Sequence, residues 1–306
     1  MEPSITVEHL KKYYKDVKAV DDISFCVERG ELFGFLGVNG AGKSTTINML
    51  CTLQAPTEGR AVIHGLELGK ENEAIKKRIG VVYQNNCLDK LLTVKENLLI
   101  RGGLYEKDMA KLKKNLEQVT EILGLEEVLK RPFGKLSGGQ KRRCEIARAL
   151  MHTPDILFLD EPTTGLDPAT RKNVWETVHK LQREMNMTVF LTTHYMEEAA
   201  RADHIGIMDQ GHFVEYGTPF SLKEKYAKDK LYLIPRPGRE EKLLAKLASE
   251  NLRFTAGEER ILVEIENTLA ALPLAGGLQE YLEGFEVIQG TMDDVFLNVI
   301  QKRKES

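Results

Sequence analysis

The sequence predicts a layered α/β core over about residues 1–220, followed by a small α+β domain over residues 221–306. Two continuous apolar runs, Ile156–Leu159 and Thr188–Leu191, are typical of parallel strands that are covered on both faces. Helical patterns alternate with such strands in the first part of the chain, which is the pattern of a layered sheet. Shorter alternating strands and amphipathic helices follow, so we expect a second, smaller unit there.

The elements of the first part follow from their local spacing. Residues 95–130 are rich in Lys, Glu and Leu, and their apolar positions repeat at i, i+4, i+7 and i+11, which indicates helices. We therefore expect a helical subdomain over about residues 88–152. The stripe consists of Leu112, Leu116, Val119 and Leu123. Strands are predicted at 5–10, 23–28, 60–64 and Gly80–Gln84.

The C-terminal part reads in the order β-α-β-β-α-β-α, which is compatible with a small ferredoxin-like sandwich. Helices are predicted over 239–250 and 268–282, and a last amphipathic helix begins near Met292. Strands are predicted at Leu231–Ile234, Ile261–Ile265 and Phe285–Ile288.

Residues 37–45, GVNGAGKST, form a phosphate-binding pattern between an apolar strand and a helix. Glycines let the backbone wrap around a polyphosphate, the lysine reaches the β- and γ-phosphates, and the hydroxyl holds Mg²⁺. The helix that follows directs its positive end at the anion. The residues expected to bind nucleotide here are Gly37, Asn39, Gly40, Ala41, Gly42, Lys43, Ser44, Thr45 and Thr46.

Two further patterns fit a nucleotide site. Asp160 and Glu161 follow the apolar strand, where one carboxylate can support Mg²⁺ and the next can polarise the attacking water. Without the upstream loop they would be ordinary surface acids. Residues 136–140, LSGGQ, precede a helix predicted from Lys141 to His152, with Ser137 suited to its N-cap. Taken alone, this segment is equally compatible with an ordinary loop before a helix.

Composition excludes several classes of function. The chain has 43 basic and 46 acidic residues, so no charge excess indicates nucleic acid. The four cysteines are scattered and predict neither disulfides nor a zinc site. No apolar run is long enough to span a bilayer, and no signal-peptide pattern is present. We therefore expect a soluble cytosolic chain; if it works at a membrane, another subunit must supply the spanning helices.

The loop 37–45, Gln84, LSGGQ, ILFLDEP at 156–162, Asp167 and His194 have the order and spacing of an ABC-type ATPase. The resemblance covers about residues 4–220. It implies that Lys43 and its loop bind ATP, and that Ser44, Gln84 and Asp160 hold Mg²⁺. It also implies that Glu161 is the general base and that His194 binds the γ-phosphate. Gln84 would contact the attacking water and would itself lie near the membrane subunit. Tyr14 would stack on adenine, with Tyr13 as the rival and simple packing as the alternative for either.

The resemblance also implies a head-to-tail dimer. Ser137, Gly138, Gly139 and Gln140 would act in trans on the ATP of the opposite subunit, and Asp167 would belong to the dimer loop. No motif is degenerate in this chain, so a homodimer would have two competent sites; a heterodimer also stays open. The expected location is cytoplasmic, at the inner face of the membrane through the permease.

Within the family, residues 80–98 and 192–208 resemble the branch that pairs with ABC-2-type permeases and exports drugs, antibiotics or sodium. The segment Thr291–Leu297 is similar to the closing segment of the accessory domain of those exporters. For residues 221–306 we favour a packing or dimerisation role, because a fold alone does not supply a function. Two alternatives remain: a non-transport ABC ATPase, and a regulatory module that binds ATP without hydrolysing it. The intact Glu161 and His194 argue against the second.

Overall fold

The computed structural model describes residues 2–257 and 259–305, and the chain divides into two compact units, with the boundary in the sequence between Tyr216 and Gly217. The expected boundary at residue 220 falls inside a helix, Pro219–Tyr226. Among the described residues, no helix combines the length and the hydrophobicity that a membrane span requires.

The first unit contains strands and helices in alternation. Its strands are β1 Ile5–Tyr14, β2 Val17–Val27, β3 Leu32–Gly37, β4 Glu58–Ile63, β5 Leu66–Glu67, β6 Ile79–Val82, β7 Ile156–Asp160, β8 Thr188–Thr193, β9 His204–Asp209 and β10 His212–Gly217. Its helices are α1 Lys43–Leu50, α2 Asn72–Arg78, α3 Val94–Gly102, α4 Met109–Leu123, α5 Gly138–Leu150, α6 Pro168–Met185 and α7 Met196–Ala199.

Two sheets build the first unit. The larger one has six strands in the order β10-β9-β3-β8-β7-β6, and β3 runs parallel to β8 and β9 while β7 runs parallel to β6 and β8. The carboxyl ends of these parallel strands therefore meet at one edge, where ligands of α/β folds usually bind. The smaller sheet is antiparallel, in the order β2-β1-β4-β5.

Aromatic rings from both sheets form the centre of the core. Phe25 of β2 stacks on Phe33 of β3 with the ring centroids 5.5 Å apart, and Phe33 lies 5.1 Å from Phe190 of β8. Such pairs add stability beyond the apolar area they bury. This packing fixes the smaller sheet against the strands whose ends carry the predicted site residues.

The segment expected to be helical contains α3, α4 and α5. The predicted stripe of α4 is buried, with Leu112 and Leu123 each 2 % exposed, which confirms its packing face. Asp108 caps the amino end of α4, and Gly124 ends it in the left-handed conformation at φ +58°.

The second unit confirms the predicted element order. Its sheet has the order β12-β13-β11-β14 with antiparallel pairs throughout, which is the order of a ferredoxin-like sandwich. One predicted boundary is wrong: the helix expected over 268–282 begins as predicted, with a 3-10 turn at Thr268–Ala270, but ends with α10 at Gly277. Its elements are α8 Pro219–Tyr226, β11 Asp229–Pro235, α9 Glu240–Ser249, β12 Phe254–Ala256, β13 Ile261–Ile265, α10 Ala271–Gly277, β14 Leu282–Ile288 and α11 Met292–Glu305.

Candidate nucleotide site

The glycine-rich loop connects β3 to α1 and has the backbone that the pattern demands. Gly40 and Gly42 lie in the left-handed region at φ +83° and +108°. A Cβ at Gly42 would overlap the carbonyl oxygen of Ala19, so only glycine fits there.

The turn between β9 and β10 holds this loop from outside. The N–H of Gly211 donates to the carbonyl of Ala41 at 2.9 Å, and the carbonyl of Gly211 accepts from the N–H of Asp21 at 2.8 Å. The loop therefore has fixed neighbours on the β2 side and on the β9–β10 side. A cleft of about 340 Å³ opens above it. The cleft is lined by Val17, Lys18, Ala19, Asn39, Gly40, Gly42, Lys43, Ser44, Thr45, Glu161 and Gln210.

Lys43 is a buried cation, 6 % exposed, whose Nζ donates to the carbonyls of Gly37 at 2.7 Å and Val38 at 3.1 Å. Burial lowers the pKa of the Lys43 ammonium, and the negative charges of Glu161 and Asp160 oppose that shift. Within the described residues, no carboxylate lies at ion-pair distance from Nζ. A desolvated cation that has only carbonyl partners fits an anionic ligand such as a phosphate.

The two predicted carboxylates stand at the carboxyl end of β7, next to Thr192 of β8. Thr192 Oγ1 donates to Asp160 Oδ1 at 2.6 Å and accepts from the N–H of Glu161 at 3.1 Å. Glu161 lies in the left-handed region at φ +46°, an uncommon conformation for a residue other than glycine. Such strain often marks a functional position.

The donor set also fits Mg²⁺. Ser44 is exposed and lines the cleft, one carboxylate oxygen of Asp160 stays free of Thr192, and the Gln84 side chain, whose amide nitrogen bonds Glu161, also carries an amide oxygen. Mg²⁺ prefers such oxygen ligands and commonly takes its others from phosphates and water. Within 2–257 and 259–305, no group of three His, Cys, Asp or Glu residues is placed to hold a metal ion.

The three predicted catalytic residues lie together, because Gln84 and His194 both approach the Glu161 carboxylate. Gln84 Nε2 donates to Glu161 Oε2 at 3.2 Å, and Thr164 Oγ1 donates to the same oxygen at 3.1 Å. His194 Nδ1 lies 3.4 Å from Glu161 Oε1. The structure thus brings Gln84, Glu161 and His194 together from three separate strand ends, beside the Lys43 loop.

The LSGGQ residues are at the amino end of α5, and none of them lines the cleft around Lys43. The predicted N-cap is confirmed, because Ser137 Oγ accepts from the N–H of Gln140 at 3.3 Å and Gln140 Oε1 accepts from the N–H of Ser137 at 3.1 Å. The helix begins at Gly138, three residues earlier than predicted. Gly138 is exposed, and a Cβ at Gly139 would lie 2.6 Å from a methyl carbon of Thr170.

Asp167 caps the amino end of α6. Its carboxylate accepts from the N–H of Thr170 at 3.0 Å and from the Thr170 hydroxyl at 2.5 Å. The side-chain hydrogen bond from Thr170 lowers the pKa of Asp167, and the backbone bond adds to this shift.

Comparison with known proteins agrees with this geometry. The model of the family described as ABC transporter matches residues 20–164. The linearmycin resistance ATP-binding protein LnrL of Bacillus subtilis is 41 % identical over 246 residues, which are 80 % of this chain and 79 % of LnrL. The chain belongs to the ABC transporter ATP-binding family. It is an ABC ATPase with a phosphate-loop NTPase fold.

Other ABC ATPases extend the comparison beyond the first unit. The daunorubicin/doxorubicin resistance ATP-binding protein DrrA of Streptomyces peucetius is 35 % identical over 302 residues, covering 96 % of this chain and 91 % of DrrA. The probable multidrug protein YbhF of Escherichia coli is 40 % identical over 228 residues, but these are only 39 % of YbhF. A dimeric structure of the ATP-binding cassette MJ0796 with ADP and Pi has a TM-score of 0.64 and 28 % identity, and covers 70 % of this chain and 98 % of that cassette.

Neither predicted tyrosine of this ABC ATPase lines the cleft around Lys43. The hydroxyl of Tyr13 donates to Asp21 Oδ1 at 2.6 Å. Tyr14 is 43 % exposed, and its hydroxyl contacts Gln54. Tyr14 is therefore the more exposed of the two rings.

Sequence reasoning missed two residues that support the site. Thr192 holds Asp160 and the backbone of Glu161, yet it reads as one more residue of a buried strand. Glu198 is 4 % exposed and accepts from the hydroxyls of Thr193, at 2.6 Å, and of Thr163. The pair of threonines, Thr192 and Thr193, at the end of an apolar run was the available signal for Thr192.

Proposed function

We propose that this chain binds ATP–Mg²⁺ in the cleft around Lys43, hydrolyses it, and energises export through a separate ABC-2-type permease. The observation that carries the catalytic part is the meeting of Gln84 and His194 at the Glu161 carboxylate, beside a buried lysine whose ammonium donates to the carbonyls of Gly37 and Val38. Positioned charges and dipoles supply most of the catalysis in phosphoryl transfer.

Each side chain has a distinct part in this reaction. Lys43 and the N–H groups of the loop neutralise and orient the phosphates, except those of Ala41 and Thr46, which donate to the carbonyls of Val38 and Gly42. Ser44, Gln84 and Asp160 hold Mg²⁺, which offsets the charge of the phosphates when it is bound. Glu161 accepts the proton of the attacking water, while Gln84 and His194 orient that water and the γ-phosphate.

We infer that the working unit is a dimer in which Ser137, Gly138, Gly139 and Gln140 of one chain face the ATP of the other. Two observations support this: the four residues lie at an accessible helix end away from the cleft of their own chain, and the MJ0796 cassette with a similar fold was solved as a dimer. Asp167, at the amino end of α6, would contribute to the same interface. Tyr14 would stack on adenine.

Export is supported by the relatives, because LnrL and DrrA carry names that describe resistance to linearmycin and to daunorubicin or doxorubicin. The partner would be an integral-membrane permease, and the chain would work at the cytoplasmic face of the membrane through it. The unit from Gly217 onward would serve packing or dimerisation.

Two measurements test the proposal. The purified full chain should release phosphate from ATP only with Mg²⁺. Capture of the tagged chain from detergent-solubilised membranes should recover a polytopic permease, whereas recovery of ribosomes or DNA would support a non-transport ATPase. ATP binding without any phosphate release, in the presence of the permease, would support a regulatory module.

A further inference from the structure

The helix that follows the LSGGQ residues carries a row of three charged side chains, of which two are buried and the third, Arg148, is partly buried. Arg142, Glu145 and Arg148 lie on one face of α5 at i, i+3 and i+6. Arg142 is 5 % exposed and Glu145 is 1 % exposed, and Arg148 Nε lies 2.9 Å from Glu145 Oε2. Buried charges are stable only when they are hydrogen-bonded, so their partners indicate what the row does.

The Arg142 guanidinium connects the two segments that carry the predicted catalytic side chains. Its Nη1 donates to the carbonyl of Tyr83 at 2.6 Å, next to Gln84. Its Nη2 donates to the carbonyl of Glu161 at 3.0 Å, and its Nε donates to the carbonyl of Pro162. Burial lowers the pKa of Arg142 to about 10, so the side chain stays cationic at neutral pH.

The other two members hold the Gln84 segment on both sides. Glu145 Oε1 accepts from the N–H of Cys87 at 2.6 Å and of Leu88 at 2.9 Å. Arg148 Nη2 donates to the carbonyl of Val81 at 2.6 Å. One helix face therefore fixes the backbone before and after Gln84.

We propose that Arg142 is a positioning residue for ATP hydrolysis, which sets the Gln84 segment against Glu161 with the support of Glu145 and Arg148. This rests on the proposed function, since Gln84 and Glu161 matter only if ATP is cleaved here. The two side chains are 3.2 Å apart across 77 residues of sequence, and Arg142 joins the main chains that carry them. Misplacing a catalytic group by about 1 Å can lower a rate by about 10²-fold.

The test compares Arg142→Lys and Arg142→Gln in the full chain with wild type. We expect kcat for ATP to fall at least about tenfold and KM to stay within about twofold, because Arg142 bonds no residue of the phosphate loop and its long bond to Asp160, at 3.4 Å, is to the main-chain carbonyl and not to the carboxylate. The matched control is Arg143→Gln on the same helix. Arg143 also donates to two carbonyls, of Leu123 at 3.0 Å and Gly124 at 3.1 Å, away from both catalytic segments, so its kcat should stay within about twofold of wild type.

A second arm separates positioning from general stability. In a Gln84→Ala background, Arg142→Lys should lower kcat by much less than it does in wild type, because residues that act as one unit are not additive. Additive losses, an unchanged kcat, or a loss equal to that of Arg143→Gln would overturn the proposal.

Folding is checked by thermal unfolding of every variant. If Arg142→Gln is unfolded, the kcat and KM of Arg142→Lys and Glu145→Gln test the proposal by the same criteria. If none of the three variants folds, the row supports the fold alone and the proposal is wrong. The proposed function fails separately, through a wild-type chain that does not hydrolyse ATP.

Discussion

Replacing Glu161 by glutamine changes the centre of the site with little change in shape. The carboxylate accepts from Gln84 Nε2 and Thr164 Oγ1 on one oxygen, and His194 Nδ1 lies 3.4 Å from the other. An amide keeps one accepting oxygen and loses the other, so about one hydrogen bond, or about 1 kcal/mol of stability, is at stake. The fold should therefore survive Glu161→Gln.

The effect on turnover should be much larger. Loss of a general base costs about 10²–10⁴ in rate, which at about 1.36 kcal/mol per tenfold is about 2.7–5.4 kcal/mol on the barrier. The Lys43 loop is untouched, so ATP should still bind. We expect the ATP-bound dimer to accumulate because it closes but does not turn over.

The assay has two readouts: phosphate release at saturating ATP–Mg²⁺, and size-exclusion chromatography with the same nucleotide. Glu73→Gln is the control, since it makes the same chemical change on the exposed helix α2, where Glu73 pairs with Lys76 at 2.6 Å. A Glu161→Gln protein that hydrolyses ATP at the wild-type rate and elutes as a monomer would refute the assignment of Glu161.

Three further outcomes are expected. Lys43→Ala should weaken ATP binding itself, because the phosphates lose their buried cation; an unchanged affinity for a fluorescent ATP analogue would contradict this. A chain ending at Tyr216 should bind ATP but dimerise or couple to the permease less well; a well-folded fragment that loses ATP binding, or that matches the full chain in dimerisation and coupling, would disprove the separate role of the second unit. Asp167→Ala should lower the thermal unfolding midpoint at neutral pH. Because the folded-state pKa of Asp167 is depressed, its contribution is present above the ordinary aspartate pKa and is lost as pH falls through the folded value, so the difference between variant and wild type should shrink in acid. A difference that does not change with pH would contradict that account.

The features predicted correctly from the sequence depend on short spacing. The α4 stripe, the N-cap at Ser137 and the strand–loop–helix around Lys43 each use residues within a few positions of one another. The residues that hold the catalytic side chains in place depend instead on contacts between segments that are distant in the sequence. Asp160 pairs with Thr192 across β7 and β8, and Arg142 reaches two loops that are distant in sequence.

The wrong helix boundary has a local cause. The sequence prediction extends one helix over 268–282. Gly276 and Gly277 lie at the end of α10, and Leu282 already begins β14. Glycine is among the weakest helix formers, so two in succession end a short helix that has only a small buried face.

The hydrogen bond between the β9–β10 turn and the phosphate loop has a consequence for dynamics. Because Gly211 bonds Ala41 on one side and Asp21 on the other, the loop's main chain is ordered before any nucleotide arrives. Preorganisation of this kind reduces the entropy lost on binding, so association should be limited by encounter and not by loop folding. The amide protons of Gly211 and Asp21 should then exchange slowly with solvent even in the nucleotide-free protein.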